Sequence, residues 1–426
     1  ERYASLPRRA EESDFGEFDR NIVVLDTETT GISLKTEELT QIAAARLEHG
    51  QVTDWFVTFV NPGKPIPEEI SRLTSITDAD VADAPSPTEA LEQLVAFVGD
   101  AKVVAHNAEF DRNFTTKHVA GYPLLDNLWI DSLELARIAL PRMRSHRLID
   151  LVKAFDAPLS THRADADVAA TCALYRLLLA AVDSMPSALL AKVASLADQE
   201  AWPTGAVFSF FAERHQQEAN QQSGAAARPE SFAIRSLRRV RVAEEPTRSK
   251  DDAEQLAASP QGLRFPSEEA IDKAFSKDGL VGSLYASFEP RVEQRAMARA
   301  VGHAFAASEN LVVEAGTGVG KSMAYLVPAA LTARANNVTV GVATKTNALL
   351  DQLVYHELPA LAEALQKAEP DAPPLAYAAL KGFSHYICLR KAQRLAEGGA
   401  RLRPVAGVER TQAPAIATLL SFIEQT

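Results

Sequence analysis

At 426 residues the chain is long for one compact core, and about two or three folding units are expected. Its 46% hydrophobic and 23% charged content argues against wholesale disorder, and a formal charge of -12 excludes a generally basic coat, so contact with a polyanion would rely on local positive patches or bridging metal ions. Cys172 and Cys388 make no disulfide framework and no apolar run suits a signal peptide or membrane span, so a reducing compartment, by default the cytoplasm, is expected.

Residues 1–20 are polar and charged and are read as an N-terminal tail. The run Asn21-Ile22-Val23-Val24-Leu25 predicts a short buried strand, Val52 to Phe59 alternates partly as a second strand, Pro85 to Gly99 predicts a proline-led helix, and 102–105 predicts another strand. An apolar-periodic helix rich in Ala and Leu is expected over 163–183, closing an α/β domain near Ser184. Helical pattern interrupted by Pro186 and Pro203 follows to Ala212, and the Gln- and Ala-rich stretch from Gln216 to Ala227 reads as a flexible connector. Arg235, Arg238, Arg239 and Arg241 form a basic cluster, read as a solvated strand or linker in preference to a nucleic-acid contact. A second α/β unit is expected from about residue 256, with Leu311-Val312-Val313 and Val338 to Val342 as buried parallel strands around a helix.

Three acidic blocks punctuate the first unit. Asp26 and Glu28 leave the first strand two residues apart, hence on one side of it, where paired carboxylates make a divalent-ion site; Gly31 then permits a tight turn. The second block, His106-Asn107-Ala108-Glu109-Phe110-Asp111, passes from a strand into a helix, with Phe110 free to anchor the turn in the core. The third, His162-Arg163-Ala164-Asp165-Ala166-Asp167, opens the long helix, and His162 can share a site with Asp167 if it lies just before that helix. Taken singly, each reads as a strand-end or helix-start side chain.

Together, in this order, the blocks resemble the DnaQ-like exonuclease family, in its branch with four acidic residues and a histidine. The resemblance covers about residues 20–183 and implies an RNase H-like fold in which Asp26, Glu28, Asp111 and Asp167 bind two Mg²⁺ or Mn²⁺ ions and His162 is the general base. It also implies 3′-to-5′ polarity and nucleoside monophosphate products. The chemistry suits the residues: hard oxygen ligands hold such ions, and a neutral imidazole takes a proton from attacking water. Arg137, Arg142, Arg144, His146 and Arg147, between the second and third blocks, are candidates either for gripping a phosphate backbone or for ordinary surface placement, and Asp131 is read as structural or supporting.

Glu314-Ala315-Gly316-Thr317-Gly318-Val319-Gly320-Lys321-Ser322 has the form of a phosphate-binding loop between strand and helix: Gly316, Thr317, Gly318 and Gly320 bring backbone amides to phosphate, Lys321 supplies charge, and Ser322 reaches Mg²⁺. With Gln294 upstream and Ala343-Thr344-Lys345-Thr346-Asn347 downstream, this part resembles superfamily 2 helicases of the DinG/XPD type, implying a partial RecA-like domain that binds ATP with Mg²⁺. The segment Leu380 to Cys388 looks like the start of that family's iron-sulfur region. Cys388 has no cysteine partners downstream, however, so no cluster is expected and a buried, uninvolved cysteine is favoured. No Asp-Glu-x-His block follows Lys321, so helicase activity is not expected of this chain, which opens with Glu, stops soon after these motifs and is read as a piece of a longer protein.

The expected organisation is therefore a tail (1–20), an α/β exonuclease domain (21–185), a helical and flexible connector (186–255) and an incomplete helicase ATP-binding domain (256–426). The expected partner is a nucleic acid with a 3′ end, single-stranded DNA foremost. A helicase motor with an accessory nuclease and a polymerase proofreading-type exonuclease are the alternatives.

Overall fold

The computed structural model describes residues 3–158, 160–197, 202–223, 262–285, 287–316, 318–382, 385–398, 402–405 and 408–425. They divide into two compact units, one made of the described residues up to 223 with 388–425, the other of 262–387.

The first unit is built on a five-stranded sheet of order β3-β2-β1-β4-β5, with β1 (Ile22–Thr29), β2 (Leu39–Glu48), β3 (Gln51–Phe59), β4 (Lys102–Ala105) and β5 (Trp129–Asp131). Strand β2 runs antiparallel to its neighbours β1 and β3, whereas β4 lies parallel to β1 and β5 parallel to β4. Both faces of the central strands are covered. Successive residues therefore alternate between two cores: Ile22 and Val24 pack beneath α4 (Ser132–Ala139) and α6 (Ala164–Asp183), and Val23 and Leu25 face α2 (Pro87–Val98). Helix α2 starts where its sequence says it should, with a Ser86/Glu89 capping box and Pro87 in the first turn. Other helices of this part include α1 (Leu6–Glu12), α3 (Ala108–Thr115) and α5 (Leu148–Phe155).

The unit extends beyond the expected limits of 21 and 185. Residues 1–20 were expected as a tail, yet Leu6, Phe15 and Phe18 are buried, and Arg176 on α6 donates to the carbonyls of Ala10 and Ser13 and pairs with Asp19. Helix α7 (Ser187–Ala194) and α8 (Gly205–Ser223) continue the same core through Leu190, Phe208 and Phe211. The connector expected from Gln216 is helical as far as Ser223, because Gln, Glu and Ala are good helix formers and extend a helix already anchored by its aromatic face. Residues 224–227 of that connector and the arginines at 235, 238, 239 and 241 lie outside the described residues.

The second unit packs α9 (Glu268–Ala274), α10 (Val292–Ala307), α11 (Lys321–Asn336) and α12 (Leu358–Ala368) around Ile271, Phe275, Ala298, Val327, Leu361 and Leu365. The two segments expected as buried strands are not strands in the structure. Leu311–Val313 and Val338–Val342 form no ladder among the described residues, and Val312 is 97% exposed. A buried parallel strand needs hydrogen-bonding neighbours and a covering layer on each face, and the described part of this unit supplies helices only.

Residues 388–425, expected to continue the second unit, belong to the first. They comprise α13 (Leu389–Gly398), a two-stranded hairpin of β6 (Leu402–Val405) and β7 (Val408–Thr411), and α14 (Ala413–Gln425). Ala413, Ile416, Ala417 and Leu420 on α14 join the core of α4 and α7, an apolar stripe that is stable only against a second surface. Cys388 is exposed, against the expectation of a buried thiol, and Cys172 is the buried one. No single described helix is long and apolar enough to cross a membrane.

Candidate active site

The β1 alternation carries past the core to its exit. Asp26 and Glu28 lie on the face that Ile22 and Val24 share, under the start of α6, and there they meet Asp167: one oxygen from each carboxylate lies within 4.8 Å of the others. Thr27 points to the opposite face and holds the fourth acid. Its backbone N–H and its hydroxyl both donate to Asp111 Oδ1, at 2.9 and 2.8 Å, and Asp111 is buried on α3. Phe110 packs into the core beside Phe114, as the anchoring role requires. The strand register slips just after Glu28, an irregularity beside the acidic pair, before Thr29 pairs with Leu39.

Electrostatics mark these side chains as a strained group. Burial pushes the Asp26 pKa well above the carboxylate range, and the charges of Asp111, Glu28 and Asp167 push it further. Glu28 is raised to about 8 by burial and by Asp167 and Asp111, with Arg163 opposing. Burial raises Asp111 to about 7 against the lowering effect of the Thr27 bonds. Crowded acids of this kind are the donor set that a hard divalent cation neutralises.

His162 lies on the bend just before α6, with φ 55°, and lines a cleft of about 680 Å³ together with Asp26 and Asp167. That placement meets the condition set by the sequence, since an imidazole outside the helix escapes the angular offset of five helical residues. Asp167 secures the bend by accepting the Thr161 N–H at 3.0 Å. Arg137, Arg144, His146 and Arg147 line the same cleft. Arg142, named with them in the sequence, instead reaches the Gln425 carbonyl at 2.6 Å. Asp131 accepts the N–H groups of Leu133 and Asn107, capping α4 and fixing the turn of the second block, where Asn107 takes a left-handed φ of 75°.

Two supporting residues carry no sequence signal of their own. Thr27 sits between the acids but bonds a partner 84 positions away. Gln41 stands opposite Glu28 in the ladder, is buried, and accepts the Ala164 N–H that opens α6. Only the strand pairing reveals either role.

In the second unit Lys321 folds over the loop, donating to the carbonyls of Ala315 and Gly316 at 3.0 and 2.8 Å. Gly318 and Gly320 adopt φ 83° and 85°, open to glycine at low cost, and buried Gln294 donates to the Gly320 carbonyl at 2.8 Å. Gly316 and Ser322 flank this turn, and Thr317 lies outside the described residues. A cavity of about 490 Å³ beside Gln294 and Gly320 is lined by Tyr285, Phe288 and Arg291, aromatic and basic side chains that the motif reading missed.

The chain is similar to several known proteins. The family model described as Exonuclease matches residues 23–175. These residues form an exonuclease-family domain. Over 88% of its length the chain is 30% identical to the 3′-5′ exonuclease DinG of Bacillus subtilis (strain 168), of which it spans 38%. The exonuclease domain alone is similar to DNA polymerase III PolC-type of Halalkalibacterium halodurans, 40% identical over 36% of this chain and 11% of that protein. A solved structure of exonuclease X in complex with 5′ overhanging duplex DNA aligns at 27% identity over 37% of this chain and 90% of its own, with a TM-score of 0.31.

Proposed function

We propose that the first unit is a divalent-metal-dependent 3′-5′ exonuclease that removes nucleotides from nucleic-acid 3′ ends, single-stranded DNA foremost. The observation that carries this reading is the convergence of Asp26, Glu28 and Asp167 within 4.8 Å, with Asp111 tied to the strand between them and His162 on the rim of the same cleft. Asp26, Glu28, Asp111 and Asp167 would hold two ions, Mg²⁺ or Mn²⁺, which when bound polarise the scissile phosphate and stabilise the developing charge. His162 accepts the proton of the attacking water on a ring nitrogen, and its position ahead of α6 leaves that nitrogen open to the cleft. Thr27 and Gln41 keep the acids and the helix start in register.

The second unit is proposed to bind ATP with Mg²⁺ through Gln294, Gly316, Thr317, Gly318, Gly320, Lys321 and Ser322, as part of a DinG-like helicase. No motor activity is proposed for this chain, which spans 38% of the length of the DinG relative, and no iron-sulfur cluster is proposed for it. A polymerase proofreading role is the weaker reading, since the similarity to DinG runs through both units whereas that to PolC-type polymerase is confined to the first. Digestion of end-labelled DNA and RNA strands with free and blocked 3′ ends, in Mg²⁺ or Mn²⁺, tests the proposal. Free 3′ ends should be shortened stepwise to monophosphates, and equal cutting of blocked ends would refute it.

A further inference from the structure

The chain carries 56 acidic against 44 basic residues, and within the first unit many of its arginines are matched: Arg8 to Glu12, Arg9 to Asp183, Arg20 to Asp14, Arg72 to Glu68, Arg176 to Asp19 and Arg214 to Asp183. Arg137, Arg144 and Arg147 break the pattern. All three are exposed, none pairs with a carboxylate among the described residues, and all three line the cleft that holds Asp26, His162 and Asp167. Three unneutralised guanidinium groups on one wall of a cleft, in a strongly acidic protein, form a local field for a polyanion.

The supports of these side chains are braced. Arg137 lies on α4, and Arg144 and Arg147 on the loop from 140 to 147 that joins α4 to α5. His106, at the exit of β4, bonds both supports: Nδ1 lies 2.9 Å from the Ser132 hydroxyl at the start of α4, and Nε2 lies 3.1 Å from the His146 carbonyl on the loop. The carbonyl is only an acceptor, so Nε2 carries the proton and Nδ1 accepts from Ser132. Burial holds the His106 pKa down to about 4, which keeps this neutral tautomer through the working range of pH. Within the loop, His146 Nε2 bonds the Leu140 carbonyl at 2.9 Å, Ser145 donates to Asp150 at 2.6 Å, and the Arg147 N–H reaches the Ser145 hydroxyl at 3.3 Å. A loop tied at so many points presents its cations with little ordering cost.

We propose that Arg137, Arg144 and Arg147 form a backbone-phosphate grip for the nucleic-acid strand that enters the acidic site, and that His106 is the positioning residue that holds the two supports of this grip together. The inference deepens the exonuclease reading and rests on it. It assigns the loop from 140 to 147 to sequence-independent binding, because guanidinium groups on phosphate carry no base information.

The test is equilibrium binding of a fluorescein-labelled oligo(dT) to the full chain, with Ca²⁺ as the only divalent ion, titrated with salt. Each phosphate contact on a single strand contributes roughly 0.7 to the slope of log affinity against log salt, so Arg144→Ala with Arg147→Ala should lower the slope by about 1.4. The same double variant should weaken binding at low salt by about tenfold or more. Arg8→Ala, at a paired surface site, serves as the control and should match the parent chain. His106→Ala should weaken binding and lower the slope in the same direction, and His106→Gln, which keeps a donor for the His146 carbonyl, should restore much of both. An unchanged slope in the arginine double variant overturns the grip, and His106→Ala binding like the parent overturns the positioning role. Hydrolysis of end-labelled strands by the parent chain is recorded alongside in Mg²⁺: its failure would count against the exonuclease reading, whereas the salt slopes judge the grip by themselves.

Discussion

Removing one charge from the acidic cluster should stabilise the metal-free protein, and Glu28→Gln is the cleanest way to do so. Glu28 is raised from its ordinary 4.5 to about 8 by burial and by Asp167 and Asp111. The folded state therefore binds a proton more tightly than the unfolded chain, and stability falls as pH rises through the window from 4.5 to about 8. At about 1.36 kcal/mol per pH unit the ceiling is roughly 5 kcal/mol. Glu28 keeps some solvent contact and shares its strain with neighbouring acids, so about 2 kcal/mol is expected in practice. All three tryptophans, Trp55, Trp129 and Trp202, lie in the first unit, so urea unfolding followed by tryptophan fluorescence reports on that unit. In chelator, Glu28→Gln should exceed the parent by about 2 kcal/mol at pH 8.5, and the difference should vanish towards pH 4. Added Mn²⁺ should narrow the gap at pH 8.5 by stabilising the parent. A pH-independent difference, or a variant less stable than the parent at pH 8.5, would refute the electrostatic reasoning.

Other outcomes follow from the same geometry. His162→Ala should lower kcat by about 10² to 10⁴-fold; a loss below about threefold would remove it from proton transfer. Thr27→Val removes one of two bonds to buried Asp111 and should cost about 1 kcal/mol in urea unfolding while raising the Mn²⁺ concentration needed for half-maximal activity. Lys321→Ala should weaken binding of a fluorescent ATP analogue by at least about tenfold, and unchanged affinity would take the nucleotide role away from this loop.

Much of the first unit was legible because its signals are local. A strand ending in Asp26 and Glu28, a proline-led helix and an alanine-leucine helix preceded by His162 are each written in a short stretch, and the structure has them at Ile22–Thr29, Pro87–Val98 and Ala164–Asp183. What periodicity could not tell is whether an apolar segment finds a partner. Leu311–Val313 has the composition of a buried strand but meets no ladder among the described residues, whereas α14 reads like any amphipathic helix and finds its partner on α4, more than 270 residues earlier in the chain. Phe15 and Phe18 read as part of a polar tail because charged neighbours mask them, yet they meet Phe211 and Phe210 edge to face in the core. Within the site, the acids were visible as motifs, and the Thr27 and Gln41 bonds that hold them depend on strand register.

The central claim is that distant acids converge to hold a pair of cations, and counting Mn²⁺ by calorimetric titration tests it most directly. The parent chain without nucleotide should take up two ions in the first unit, and Asp26→Asn and Asp167→Asn should each abolish at least one of them. Binding of the same number of ions with the same affinity in both variants would contradict it.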